Sequence, residues 1–160
     1  VVAYNKFNQF VEDLCNKALD HFGSPIGDTL KLGLTNVSPN AADTHVDTAL
    51  SPDVIEATSN ATEIASGNGY TEGGETVSAN GTRSGGTVTL DGDQVVWTCV
   101  TSPMATFRYT YLYNNTGGAA ATRPVVSWWD YGSAVALAVG ETFTVKFNNV
   151  ATDGTIYTLA

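Results

Sequence analysis

The chain has 160 residues and carries seven Lys plus Arg against sixteen Asp plus Glu, a formal net charge of −9. That balance opposes binding to nucleic-acid backbones or anionic membranes, and no run of about 18 apolar residues is present to cross a bilayer. Only 14% of residues are charged while 42% are hydrophobic, against ~25% charged in an average domain, so the composition fits one folded domain of strands and turns with a neutral polar surface, and not a disordered chain.

The first residues, Val1-Val2-Ala3-Tyr4-Asn5-Lys6, lack the basic and apolar regions of a secretion signal, so synthesis and use without export are expected. Apolar residues then recur at helical spacing: Tyr4, Phe7, Phe10, Val11, Leu14, Cys15, Ala18, Leu19 and Phe22. They predict one amphipathic helix over 5–22. Gly23 would cap it, Pro25 would stop it, and His21 would sit favourably at its C-terminal dipole. Leu30-Lys-Leu-Gly-Leu-Thr35 alternates with period two and reads as the first strand, leucines inward.

Residues 37–74, rich in Ser, Asn, Asp and Thr, read as a long irregular loop with at most a short helical turn near Ser51-Pro52-Asp53. A loop of that length usually serves a function. Asp43, Asp47 and Asp53 are its candidate partner contacts, meeting basic groups on a neighbour. Asp43-Thr-His45-Val-Asp47 matches no known metal spacing, so a solvated acidic loop is the better reading. The glycine-rich 67–75 stretch precedes a strand and lacks a phosphate-binding lysine.

From residue 75 the pattern becomes a β-rich core running to 160. Strands are predicted at 76–80, 87–90, 95–100, 107–113, 125–129, 135–137, 142–147 and 156–159, with turns at Asn80-Gly81, Asp91-Gly92, 114–118, Tyr131-Gly132, Val139-Gly140 and Asp153-Gly154. The expected architecture is mainly β: an antiparallel sandwich or barrel-like sheet with the helix packed on it. Phe107, Tyr109, Tyr111 and Tyr113 alternate along one strand. Adjacent Trp128 and Trp129 must face opposite sides of theirs, and both are candidate partner contacts. Aromatics so spaced suit the apolar face of a sheet better than a sugar platform. Cys15 and Cys99 are expected to be buried, reduced thiols. The Gly-x-Ser-x-Gly elbow is absent, neither histidine neighbours a nucleophile in sequence, and no metal or cofactor is expected.

Five blocks carry a resemblance: Tyr4-Asn-Lys-Phe-Asn-Gln-Phe-Val-Glu-Asp-Leu14, Thr29-Leu-Lys-Leu-Gly-Leu-Thr35, Thr62-Glu-Ile-Ala-Ser-Gly-Asn-Gly-Tyr70, Trp128-Trp-Asp-Tyr-Gly132 and Gly140-Glu-Thr-Phe-Thr-Val145. Together they resemble small virion-associated structural proteins of tailed bacteriophages. The resemblance implies a non-enzymatic structural component of the virion, assembled in the host cytoplasm. A capsid decoration or cement protein is the leading reading; a tail, neck or fibre-base component, or a carbohydrate-binding module for host attachment, are the alternatives. Implied partners are other virion proteins, the major capsid protein foremost, and copies of the chain itself, with no nucleic acid and no membrane.

Overall fold

The computed structural model describes residues 4–16, 19–21, 27–116, 119–150 and 152–160. The molecule is mainly β, with antiparallel sheets stacked as a sandwich-like core, one short helix near the N-terminus and no closed barrel. The largest sheet is built around β10 (Phe107–Asn114) and β11 (Arg123–Val135). β10 pairs on its other side with β2 (Leu30–Thr35), which pairs with β6 (Glu75–Val77). A three-stranded sheet joins β7 (Ala79–Ser84), β8 (Thr87–Gly92) and β13 (Gly154–Leu159), and β9 (Val95–Thr98) pairs with β12 (Thr142–Val145).

The large sheet separates two cores. Leu30, Leu32 and Leu34 of β2, all fully buried, point to the larger one with Leu90, Trp97, Leu112 and Val126. Burying each leucine contributes about 1.5–3 kcal/mol. On the other face Tyr111 lies across Gly33, where a Cβ would sit 2.4 Å from the tyrosine Cζ, so β2 needs glycine there. Tyr111 and Tyr113 stack at 5.8 Å in the second core with Phe7, Val46, Ile55 and Val125.

The predicted helix is much shorter than its periodicity suggests. Tyr4–Lys6 forms β1, which pairs with β11 through Tyr4↔Trp129, Asn5↔Trp128 and Lys6↔Ser127, and the helix, α1, spans Asn8–Cys15. Strand pairing satisfies the backbone of residues 4–6 and sets Tyr4 edge-on against Trp129 at 5.8 Å. Phe10 is the fully buried residue of α1. Cys15, at its last position, is exposed, contrary to expectation, and both cysteines are free; Cys99 is buried. His21 caps nothing: it lies beyond the helix, buried, with Nδ1 2.8 Å from the Tyr157 hydroxyl. Burial holds its pKa below the ordinary 6.5, against the pull of Asp28. Ala18, Phe22, Gly23 and Pro25 lie outside the described residues.

Residues 37–74 are not an irregular loop. They contain β3 (His45–Asp47), β4 (Val54–Glu56) and β5 (Ala61–Thr62), a small antiparallel meander. β3 pairs with Arg123 and Pro124 at the start of β11, so the meander extends the large sheet. Its short strands carry one inward residue each, Val46, Ile55 and Ala61, too few to show a period in sequence. Ser51-Pro52 is a bend before β4, not a helical turn.

Three turn signals also fall inside strands, Asp91-Gly92 being the last two residues of β8. Asn80 and Gly81 pair with Asp91 and Leu90 in β7–β8, and the hairpin turns at Gly85-Gly86 instead. Tyr131-Gly132 is a bulge within β11: Tyr109 pairs with Asp130 but Phe107 with Val135. Gly132 adopts φ +95° there, and its N–H donates to Asp130 Oδ1 at 2.7 Å. The extra residues shift the register; Phe107 packs in the larger core while Tyr111 and Tyr113 occupy the second.

Asp43 shows why the meander holds its shape. It is fully buried and accepts from the N–H groups of Asn40, Thr58 and Ser59 at 2.8, 2.8 and 2.6 Å and from the Ser59 hydroxyl. This carboxylate closes the 40–59 excursion on itself, so Asp43 is withdrawn from any partner. We predict that Asp43→Ala lowers stability by about 2–4 kcal/mol, since it leaves buried donors unpaired, as read by urea denaturation. A loss under about half a kcal/mol would show that the excursion is held by its strands alone.

Candidate functional site

Two concave regions bring chemistry-bearing side chains together. The smaller, ≈ 460 Å³, lies beside the meander and includes Lys31, Asp53, Glu72, Gly73 and Tyr113. Behind it Glu63 is 3% exposed. Its carboxylate accepts from Gly73 N–H at 2.9 Å and from the Tyr70 hydroxyl, which itself accepts from Leu34 N–H at 3.0 Å. Tyr113 donates to the Gly73 carbonyl at 2.9 Å, and Ser51 donates to Glu72 at 2.7 Å. Burial pushes the Glu63 pKa up to about 7, against the opposing hydrogen bonds from Gly73 and Tyr70. Asp53 is pushed up to about 6, by burial first and then by Glu72, with Lys31 pulling the other way. Paired carboxyls with raised pKa are a signature of functional sites. The bonds of Glu63 are spent internally: with Tyr70 it latches the 63–74 segment onto the backbone of β2.

The larger region is an open groove of ≈ 940 Å³ where the sheets meet. Its floor is Trp129 of β11 with Thr110 of β10, and β12 and β13 supply its walls. Tyr131, from the β11 bulge, is 53% exposed, and Tyr4 is 38% exposed. Phe143 and Val145 of β12 are half-buried, packed against the larger core without being covered by it. Tyr131 meets Phe143 at 5.7 Å and 77°, and Trp129 meets Phe147 at 5.7 Å and 54°. Arg108 and Lys146 also line the groove, with no Asp, Glu, His or Cys among the lining residues. Arg108 makes a bidentate pair with Asp130, 2.7 and 2.8 Å, which pins the bulge and holds the carboxyl below its usual range.

The five residues singled out in the sequence therefore scatter. Asp43 is buried, and Asp47 is half-buried with Oδ1 accepting from Ala49 N–H at 2.8 Å. Asp53 is 6% exposed beside Lys31 and Glu72 in the smaller cleft. Trp128 and Trp129 do face opposite ways: Trp128 packs on Phe7 at 4.6 Å over the second core, and Trp129 floors the groove. Arg108, Phe143 and Lys146 were missed. The alternation of Phe143 and Val145 was legible, but not that their strand would lack a neighbour on one side. His45 turns to Glu56, 3.4 Å away, so the 43–47 segment does not converge on a point. Among the described residues no group of three or more His, Cys, Asp or Glu is placed to hold a metal.

No family model matches the chain, and neither curated proteins nor solved structures contain a match to it.

The latch makes a pH prediction. Glu63 has its folded-state pKa raised, so its contribution is fully present below the ordinary value of 4.5 and is lost as pH rises through about 7. Wild-type protein is expected to lose melting temperature between about pH 5 and 7.5, and Glu63→Gln to lack that part of the loss, a difference of roughly 3–8 °C. Identical slopes for the two proteins would show that Glu63 is not the titrating group.

Proposed function

We propose that the chain is a non-enzymatic structural component of a tailed-phage virion, of the capsid decoration or cement type, which binds an assembled shell and stabilises it by mass action. The observation that carries this reading is the groove. Its chemistry is adhesive: half-covered rings and aliphatic side chains, hydroxyls and two cations. The sequence resemblance supports the same reading, because its blocks meet in space. Tyr4 packs on Trp129, Tyr70 bonds to the backbone of Leu34, and Phe143 abuts Tyr131. The blocks thus supply both the frame and the groove.

The arrangement disfavours the carbohydrate-binding alternative. A sugar platform needs neighbouring ring faces aligned in one plane, whereas Tyr4–Trp129 and Tyr131–Phe143 are edge-to-face pairs at 69° and 77°. A position in the tail or neck remains the second structural reading, and it differs from the first in stoichiometry. Quantitative mass spectrometry of purified particles is expected to find the chain at a copy number comparable with the shell protein, in the hundreds. About six or twelve copies would move it to the symmetric tail or neck, and its absence from particles would reject the virion assignment altogether.

A further inference from the structure

The groove has a feature that ordinary apolar clefts lack: it runs along a strand edge with no strand paired on its outer side among the described residues. β12 pairs with β9 on one side only, and β13 with β8 on one side only. Successive strand residues point to opposite faces. Yet Phe143, Thr144 and Val145 all line the groove, so it flanks the free edge of β12 and not merely one face. β13 contributes the neighbouring Thr155 and Ile156 as well as Thr158. Among the described residues, no backbone bond leaves Thr142–Val145 except toward β9.

Natural sheets protect such edges with charge, proline or brevity. Several other edges do: β6 carries Glu75, β7 carries Arg83, β1 carries Lys6, and β5 has two residues, whereas Val-Val-Trp-Thr of β9 carries no charge. Thr-Phe-Thr-Val of β12 and Gly-Thr-Ile-Tyr-Thr-Leu of β13 carry neither charge nor proline. An unprotected edge over half-covered aromatics is the geometry of β-strand addition, in which the edge supplies backbone bonds and the floor takes alternate side chains.

The charge selects the occupant. On a chain of net −9 the groove is lined by Arg108 and Lys146 and by no acid. Arg108 is already bridged to Asp130, whereas Lys146 is exposed and in no ion pair among the described residues. A second copy docking edge to edge would bring two bodies of net charge −9 together.

We propose that the groove receives an extended segment of a partner protein, apolar at alternate positions and acidic at one flank, which pairs with the free edge of β12 and places its acid near Lys146. The partner's origin in the shell rests on the reading above; the chemistry of the occupant comes from the groove.

The test uses the full chain, immobilised, against a random library of peptides of about eight residues, a common strand length. Enriched sequences are expected to alternate apolar and polar residues and to carry Asp or Glu at one end. A selected peptide should slow amide exchange in β12, lose binding when its alternate amides are N-methylated in one register but not the other, and bind Lys146→Glu at least about tenfold more weakly. The proposal is overturned if no peptide is enriched, if enriched peptides are basic or do not alternate, or if N-methylation in either register or Lys146→Glu leaves affinity unchanged. It is likewise overturned if sedimentation shows the chain dimerising through this groove, since the occupant is then a second copy. Failure here leaves the copy number in particles untouched, so the two readings fall separately.

Discussion

The period-two geometry of β11 is the constraint on which the rest of this structure depends. Trp128 and Trp129 are neighbours on one strand and must leave it on opposite sides. Trp128 goes to the second core against Phe7, and Trp129 goes toward the larger core, against Tyr4 and Phe147. Two large rings on opposite faces require cover on both sides of the sheet. Phe7 and the β3–β5 meander attend the second core, while α1, through Phe10, and the β7–β8–β13 and β9–β12 sheets attend the first. β11 also pairs with β10 along most of its length, with β1 on its other side at 127–129 and with β3 at 123–124. Removing it would leave neither core with a common wall.

Polar chemistry then fixes what packing leaves loose. The 37–74 excursion is joined to the sheet by short strands with little apolar area, and two buried carboxyls hold it. Asp43 gathers donors from its own excursion, and Glu63 reaches through Tyr70 to β2. Buried acids of this kind confer shape only when their hydrogen bonds are complete. Their raised or fully bonded state marks them as supports for the fold, and it leaves the groove as the part of the molecule with unspent capacity to bind.

What was legible in the sequence follows from how strongly each segment repeats. β2, β8, β10 and β12 alternate over four or more residues, and reading them gave the mainly β, antiparallel fold with an N-terminal helix. The meander escaped because strands of two or three residues contain no period to read. The helix was overextended because Tyr4 fits the helical stripe as well as it fits an edge strand, and only the presence of Trp129 beside it decides between the two. Asp43, Asp47 and Asp53 looked like a solvated acidic face because burial of a carboxylate depends on donors at 58 and 59 that no local pattern announces. Trp129 lines the groove; its companions Arg108 and Lys146 are brought there by the β11 bulge and by the end of β12, both tertiary features.

The groove can receive a strand only if β12 presents an open, unprotected edge in the free protein. Native-state hydrogen exchange resolved by residue measures this directly. Amides of β10 and β11 within the large sheet should exchange only by global unfolding, while the outward amides of Thr142–Val145 should exchange orders of magnitude faster, near the rate of exposed groups. Uniform strong protection across β12 in the monomer would mean that the edge is already paired, and the groove would then have no strand to receive.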